Sequence, residues 1–162
     1  MNTTDKAPAV KATLTTPSEL EVRLERIFNA SRERVWRALT EPDLVAQWWG
    51  RGHKLVVEHL EVVPGGRWRF VEHSGHGVHG FRGEYREVVP PERLVNTFEY
   101  DGMPGHIGLE TTMLEDIGGG RTNLINISHF NDVADRDVVM GSGMEQGANE
   151  SYAALDRVLA AM

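Results

Sequence analysis

The segment between Lys54 and Phe130 limits the possible folds more than any other feature, because it is a succession of strand-like stretches separated by turn signals. Polar and apolar residues alternate along these stretches, as in strands that have one face in water. Proline and glycine interrupt the alternation at Pro64–Gly66, Pro90–Pro91 and Gly118–Gly120. Since short turns join antiparallel neighbours, the segment predicts an antiparallel meander of about six strands.

A further strand is predicted before this meander, in the stretch ELEVRLERIF. Apolar residues alternate with charged ones from Leu20 to Leu24. The alternation stops after this point, so we expect a bulge or the end of the strand at Arg26–Phe28. Residues 1–18 show no periodicity and predict a flexible N-terminal tail. Residues 19–162 then form a single domain.

Three helices complete the predicted secondary structure. The first follows the first strand and can be capped by Asn29 or Ser31. The second should run from Pro42 to about Trp48, with Thr40 as its N-cap. The third closes the chain from about Met144 onward, where apolar residues recur every three or four positions over about 28 Å.

A sheet with one apolar face must be covered, and the closing helix is the only long element available. The sequence therefore predicts an α+β fold in which a curved antiparallel sheet of about seven strands surrounds a long C-terminal helix. The inward face of this helix carries small residues, namely Gly143, Gly147, Ala148 and Ser151. Either the helix lies close to the strands, or a cavity remains between them.

If a cavity remains, the alternation of the strands and the helix predicts its lining: Trp68, Phe70, Phe81, Tyr85, Phe98 and Met144. His79 and Asn96 have the same strand parity as these aromatic residues and can add polar groups. An apolar cavity with a few polar groups is the usual form of a small-molecule site. For each aromatic ring, simple packing in the core is the alternative interpretation.

Composition excludes several classes of function. The net charge is −7 and no basic stripe is present, so we expect no nucleic-acid binding. No apolar stretch approaches the roughly 18 residues of a membrane span, and no signal peptide is visible. The chain has no cysteine, which excludes disulfides, thiol catalysis and cysteine-ligated metals. This is compatible with the cytoplasm, where we expect the protein to be.

Three histidines, His73, His76 and His79, follow one another at intervals of three residues and could ligate zinc. The spacing is loose beside established zinc motifs, and a hairpin turn with solvated histidines is the preferred interpretation. We therefore expect neither a metal nor a cofactor.

Acid–base chemistry could use Glu84, Glu99, Glu110, His79 or Tyr85. Glu84 and Glu99 fall on the strand face opposite the aromatic residues and are predicted to form ion pairs facing solvent. Tyr85 and His79 share the parity of the aromatic residues and can place a donor or a base in the cavity. These groups form no recognisable catalytic triad or dyad, so the catalytic residues stay unassigned.

The stretch TEPDLVAQWWG places Trp48 and Trp49 side by side, and adjacent residues point to different sides of an element. This stretch, with PGGRWRF, GEYREVVPPERLVNTFEY and QGANESYAALDRVL, resembles the Hsp90-ATPase-activator-homologue-like branch of the START-like (SRPBCC) superfamily. The resemblance covers about residues 20–160. It implies the helix-grip fold, with two short helices after the first strand and the sheet around the terminal helix.

The resemblance also suggests roles for single residues. Trp36 resembles the anchor of the first helix, and the tryptophan pair resembles one at the mouth of the family's cavity. We expect Trp48 to be buried and Trp49 to lie toward the entrance. The family often has a bulky aromatic residue where Ala148 stands. The cavity should therefore be larger here, unless Tyr152 one turn later swings in.

Three functional hypotheses follow from the fold and the resemblance. The leading one is a START-like domain that binds a small, mainly hydrophobic molecule between the sheet and the C-terminal helix. The second is a chaperone- or stress-related protein-interaction module, and the third is a cyclase- or dehydratase-like enzyme that uses Tyr85 or His79. The co-chaperones that give the branch its name carry a large N-terminal domain, where this chain has a short tail. We therefore expect no direct activation of Hsp90; an exposed sheet edge offers a route to a homodimer.

Overall fold

The strands of the described chain belong to one curved antiparallel sheet. The computed structural model describes residues 10–162. The eight strands are β1 (Thr13–Thr15), β2 (Glu21–Phe28), β3 (Lys54–Leu60), β4 (Arg67–Ser74), β5 (Gly77–Val89), β6 (Arg93–Tyr100), β7 (Gly108–Gly118) and β8 (Arg121–His129). Their order in the sheet is β1-β2-β8-β7-β6-β5-β4-β3. The predicted meander from β3 to β8 is confirmed, and β8 returns to pair with β2.

The described helices are α1 (Arg32–Thr40), α2 (Pro42–Trp48), α3 (Val133–Gly141) and α4 (Met144–Ala161). The Ser31 hydroxyl caps α1 by accepting the Arg34 N–H at 3.3 Å. Thr40 is not the cap of α2, because it is still the last residue of α1 and its hydroxyl donates to the Trp36 carbonyl at 2.7 Å. Glu41 takes the cap position instead.

Helix α3 is absent from the sequence prediction, in which the closing helix begins only at about Met144. Its one buried residue is Asp135, so it has no apolar stripe that a periodicity argument could detect. Asp132 starts the helix by accepting the Asp135 N–H at 2.8 Å. Gly143, with φ of 86°, then separates α3 from α4 in a left-handed conformation that suits glycine.

Strand β1 lies inside the segment that was predicted to be a flexible tail. Its backbone pairs with β2, with Thr13 opposite Glu25 and Thr15 opposite Arg23. Backbone pairing at a sheet edge requires no side-chain alternation, so a three-residue strand leaves no signal in the sequence. Residues 1–9 of the predicted tail lie outside the described part of the chain.

Of the two outcomes predicted for Arg26–Phe28, a bulge or the end of the strand, the second is found: β2 pairs with β8 in unbroken register and ends at Phe28. Arg26 occupies a core-facing position and is only 5% exposed. Its guanidinium donates to Asp156 on α4 at 2.8 Å and lies over the Phe28 ring, 4.5 Å from the centroid. An ion pair and a cation–π contact thus allow a charged residue where the pattern calls for an apolar one.

Two apolar clusters hold the helices on the sheet. One contains Phe28 and Leu155 and joins α1 and α4 to β2, β7 and β8. The other contains Val45 and Trp68 and joins α2 to the strands from β3 to β6. Trp36 packs against both clusters, as expected of an anchor for the first helix. Among the described helices, none has the length and apolar content needed to cross a membrane.

Candidate ligand-binding cavity

A cavity of about 760 Å³ lies between the sheet and α4 and opens to solvent. The twelve residues that the sequence predicts for a ligand site all line it: Trp48, Trp49, Trp68, Phe70, His79, Phe81, Tyr85, Asn96, Phe98, Met144, Ala148 and Tyr152. Their common location is a property of the fold, whereas their contact with a ligand stays a prediction.

The two adjacent tryptophans have different environments. Trp48 ends α2 and is 7% exposed, and its indole N–H donates to the Ala38 carbonyl at 2.8 Å. This bond fixes α2 against α1. Trp49 follows the helix, is only partly buried and turns its ring toward the strands. The expectation that Trp48 is the buried member of the pair is confirmed.

Trp49 lies against four rings from the sheet, and together they form the aromatic wall of the cavity: Trp49, Trp68, Phe70, Phe81 and Phe98. The Trp49 ring centroid is 5.1 Å from that of Phe70 and 5.0 Å from that of Phe81, with steep interplanar angles. Trp68 and Phe98 are more distant, at 6.2 Å and 6.4 Å. Edge-to-face contacts of this kind are favourable beyond the area that they bury.

The orientation of Trp68 depends on Gly83 of the neighbouring strand. The Trp68 indole N–H donates to the Thr97 carbonyl at 3.2 Å, across β5. A Cβ atom at Gly83 would collide with both the indole nitrogen and that carbonyl oxygen. Glycine at this position therefore allows the indole to lie across the sheet as part of the wall.

A row of polar side chains crosses the sheet next to the aromatic wall. Tyr85 is the register partner of Asn96, Asn96 of Glu110, and Glu110 of Ser128. These four residues, one from each of β5 to β8, form what we call the polar row, and all line the cavity. Partners in one register position have side chains on the same face of a sheet. The cavity is therefore apolar on one side and polar on the other.

Glu110 is the only carboxylate in the polar row. The Ser128 hydroxyl lies 2.8 Å from one of its oxygens and 3.0 Å from the other. Burial raises the pKa of Glu110 to about 7, and hydrogen bonds from Ser128 and Asn126 oppose this shift only in part. No cation of the described residues contributes to the shift. The carboxyl group is thus poised between its neutral and charged forms near neutral pH.

Two phenol groups face the same part of the cavity. Burial raises the pKa of Tyr85 to about 12. The pKa of Tyr152 is also raised, first by burial and then by the charge of Glu110, while Arg26 acts in the opposite direction. Both hydroxyls are therefore donors at neutral pH. Tyr152 stands edge-on to Phe28, with ring centroids 5.4 Å apart.

His79 lies far from the polar row although it lines the same cavity. Six residues separate it from Tyr85 on β5, which is about 20 Å along an extended strand. Its Nδ1 atom is 2.8 Å from the hydroxyl of Tyr100. His79 and Tyr85 therefore cannot act on the same atom of a ligand. Within residues 10–162 no group of three or more histidine or acidic side chains is arranged to hold a metal ion.

The loop 101–107, which we call the rim loop, joins β6 to β7. Met103 contributes to the lining. His106 Nδ1 is 2.7 Å from a carboxylate oxygen of Asp135 on α3. The loop and α3 are thus joined beside the opening, where Val138 and Val139 of α3 also line the cavity.

The outer face of the sheet carries the ion pairs that the alternation predicts. Glu99 is 3.1 Å from Arg82, and Glu84 is 3.6 Å from Arg86. The prediction that Glu84 and Glu99 form ion pairs away from the cavity is confirmed. Glu110, the third glutamate considered as an acid–base group, is the one that lines the cavity.

The sequence prediction missed several polar lining residues, namely Glu110, Thr112, Asn126 and Ser128. The cause is that the apolar residues of β7 and β8 do not share one parity. On β7, Leu109 is exposed while Glu110 faces the cavity, so apolarity does not mark the inner face. One clue to Glu110 is Asn96, which is predicted to face the cavity. Its register partner on the next strand, Glu110, has its side chain on the same face of the sheet.

Comparison with known proteins agrees with this architecture. Residues 29–160 match the family model described as Activator of Hsp90 ATPase homolog 1-like protein. The crystal structure of a protein from Rhodobacter sphaeroides is similar, with 30% identity, a TM-score of 0.85, and 94% of this chain and 99% of that chain covered. A protein from Chromobacterium violaceum has 26% identity and a TM-score of 0.74, over 86% of this chain and 96% of that one. A protein from Arthrobacter aurescens shares the fold, with 21% identity and a TM-score of 0.83, over 93% and 92%. No functionally curated protein matches the chain.

Proposed function

Because the chain belongs to the family of Activator of Hsp90 ATPase homolog 1-like proteins, we propose that it uses their fold to bind a small, mainly hydrophobic molecule. The observation that carries this proposal is the cavity of about 760 Å³ with its aromatic wall. Volumes of this size are typical of sites for small organic ligands. A ligand would lie between the wall and α4, with its polar groups toward the polar row.

The inner face of α4 favours binding over simple packing. Gly147, Ala148 and Ser151 line the cavity and are too small to fill it. A protein-interaction module would have no need of an open interior, and its binding energy would come from exposed apolar surface. The open interior therefore supports a ligand-binding domain more than the alternative of a chaperone-related module.

The proposal is tested by filling the cavity from α4 with Ala148→Trp. Nile red, an apolar dye whose fluorescence rises out of water, serves as the probe. We expect the variant to bind Nile red at least about tenfold more weakly than the wild type, because the indole takes the space of the dye.

The matched control is Ala153→Trp, five residues along α4 on its exposed face. This variant should bind the dye like the wild type. Equal binding by the wild type and Ala148→Trp, with both folded by circular dichroism, would count against a binding site in this cavity.

A further inference from the structure

We propose that the ligand carries a cationic amine next to an aromatic or other apolar group, and that the Glu110 carboxylate is the anchor for this amine. The inference rests on the proposed function, since it names the class of molecule that the cavity takes. It follows from three observations: the incomplete bonding of Glu110, the absence of a counter-charge among its described neighbours, and its position beside the aromatic wall.

The bonding of Glu110 leaves room for a donor from a ligand. Ser128 has a single hydroxyl proton, although its oxygen is close to both carboxylate oxygens. The Asn126 amide nitrogen donates one of its two hydrogens to the Thr112 hydroxyl at 3.2 Å, so only the other is left for Glu110. An ionised carboxylate has about four acceptor sites. Free acceptor sites of Glu110 therefore line the cavity.

The described groups around Glu110 supply no positive charge. Asn96 on β6 is neutral, and so are the phenols of Tyr85 on β5 and Tyr152 on α4 at neutral pH. Arg26 on β2 is the closest described cation in the core, but two of its nitrogens bind the carboxylate of Asp156. A buried carboxylate without a partner is costly, and a cation from a ligand would offset that cost.

The other charged residues of the lining lie near the opening rather than beside the polar row. Arg51, His53 and His76 are exposed. His79 is held by Tyr100, and Glu72 lies 3.5 Å from His53. An amine at the polar row would thus meet Glu110 as its counter-ion, and not these groups.

The distance between the wall and Glu110 defines the shape of the ligand. On β6, Phe98 of the wall is two residues from Asn96, the partner of Glu110. Two residues correspond to about 7 Å along a strand, and β7 lies about 5 Å further across the sheet, so Phe98 and Glu110 are about 8 to 9 Å apart along the sheet. A ring on the aromatic wall and an amine at Glu110 would therefore be joined by two or three bonds, as in arylalkyl amines. The aromatic faces would also attract the cation.

A neutral ligand is the competing possibility, because a protonated Glu110 could donate to a carbonyl. The two cases differ in the sign of their pH dependence. An amine binds the ionised carboxylate, so its affinity should rise as the pH increases through about 7, the pKa of Glu110. A carbonyl ligand binds the protonated form, and its affinity should fall over the same range.

The experiment compares three indoles by isothermal titration calorimetry: tryptamine, the alcohol tryptophol and the anion indolepropionate. At about pH 8 we expect tryptamine to bind at least about tenfold more tightly than tryptophol, as a charge-assisted hydrogen bond allows, and indolepropionate to bind most weakly. In Glu110→Gln, which keeps the shape of the side chain, the preference for the amine should disappear. Its rise with pH should disappear as well.

Equal binding of tryptamine and tryptophol would overturn the proposal. So would an amine preference, or its pH dependence, that survives in Glu110→Gln, because Glu72, the other carboxylate of the lining, or the histidines near it would then be its source. If Nile red binds but no amine preference is found, the cavity remains a binding site and only the amine anchor fails. If neither Nile red nor any indole binds, both proposals fail.

Discussion

At the scale of the residue, the tryptophan pair shows that one of two adjacent side chains can join two helices while the other forms part of the cavity wall. Trp48 is buried and bonded to a helix carbonyl, whereas Trp49 forms the centre of the aromatic wall. The sequence alone could predict that the two rings have different environments, because adjacent residues point to different sides of an element, but the spacing did not fix which ring is buried. It could not predict that Trp49 contacts four rings, since these come from three different strands.

Substitution of each indole by phenylalanine should separate the two roles. Trp48→Phe should lower the free energy of unfolding by about 2 kcal/mol, because it loses the hydrogen bond to Ala38 and leaves a gap. Its affinity for Nile red should fall less than that of Trp49→Phe, because only 7% of Trp48 is exposed. Trp49→Phe should weaken dye binding several-fold at a smaller loss of stability. Urea unfolding and dye titration of both variants measure these effects, and the reverse pattern would show that the roles are exchanged.

Glu110 marks the limit of prediction at the same scale. Its face is set by its pairing with Asn96 on β6 and Ser128 on β8. The apolar residues of β7, Leu109, Met113, Leu114 and Ile117, do not share one parity that would reveal this face in the sequence. The residue with the most unusual chemistry in the cavity was therefore the one that parity arguments could not place.

At the scale of the element, strands and helices with regular apolar spacing are predictable, and the rest are not. The strands β4 to β6 alternate, and α4 has an apolar stripe that ends in Leu155, Val158 and Leu159. Strand β1 and helix α3 lack such spacing. They are fixed by backbone pairing in one case and by polar contacts in the other. Both lie at the margins of the fold, where tertiary context decides.

The contact between His106 and Asp135 should stabilise α3 against the rim loop. His106→Asn shortens the side chain and removes this hydrogen bond, which is worth about 1 kcal/mol. Amide protons of residues 133–141 should then exchange with solvent about fivefold faster in hydrogen–deuterium exchange. His76→Asn, at an exposed position in the β4–β5 turn, should leave that exchange unchanged. Equal protection of α3 in both variants would show that the contact does not hold the helix.

At the scale of the whole molecule, the fold leaves a space that its own side chains do not fill. One apolar cluster holds α1 and α4 on the sheet, the other holds α2, and residues of both line the cavity. A large interior surface and an unpaired carboxylate both reduce stability. The polar row is thus a feature that folding alone does not require, in line with the tendency of functional sites to lower stability. Self-association through a free sheet edge stays a prediction.

The ionisation of Glu110 should make the stability of the whole chain depend on pH. In the unfolded chain this carboxyl has its ordinary pKa of 4.5, whereas burial raises it to about 7 in the folded protein. Between these values the folded state binds more protons than the unfolded state at this site, so the stability falls as the pH rises. Below the lower value the contribution is zero, and above about 7 the destabilisation is complete.

Glu110→Gln removes this ionisation while it keeps the shape of the side chain, so the difference in unfolding free energy between variant and wild type isolates the residue. Apart from a constant offset, we expect this difference to grow by about 3 kcal/mol in favour of the variant between about pH 4 and pH 8. Urea unfolding at several pH values measures it. Glu115→Gln, an exposed position on the same strand, should give a flat difference. A flat difference for Glu110→Gln as well would mean that the carboxyl is solvated in the free protein. The structural reason to expect an amine at the polar row would then be gone.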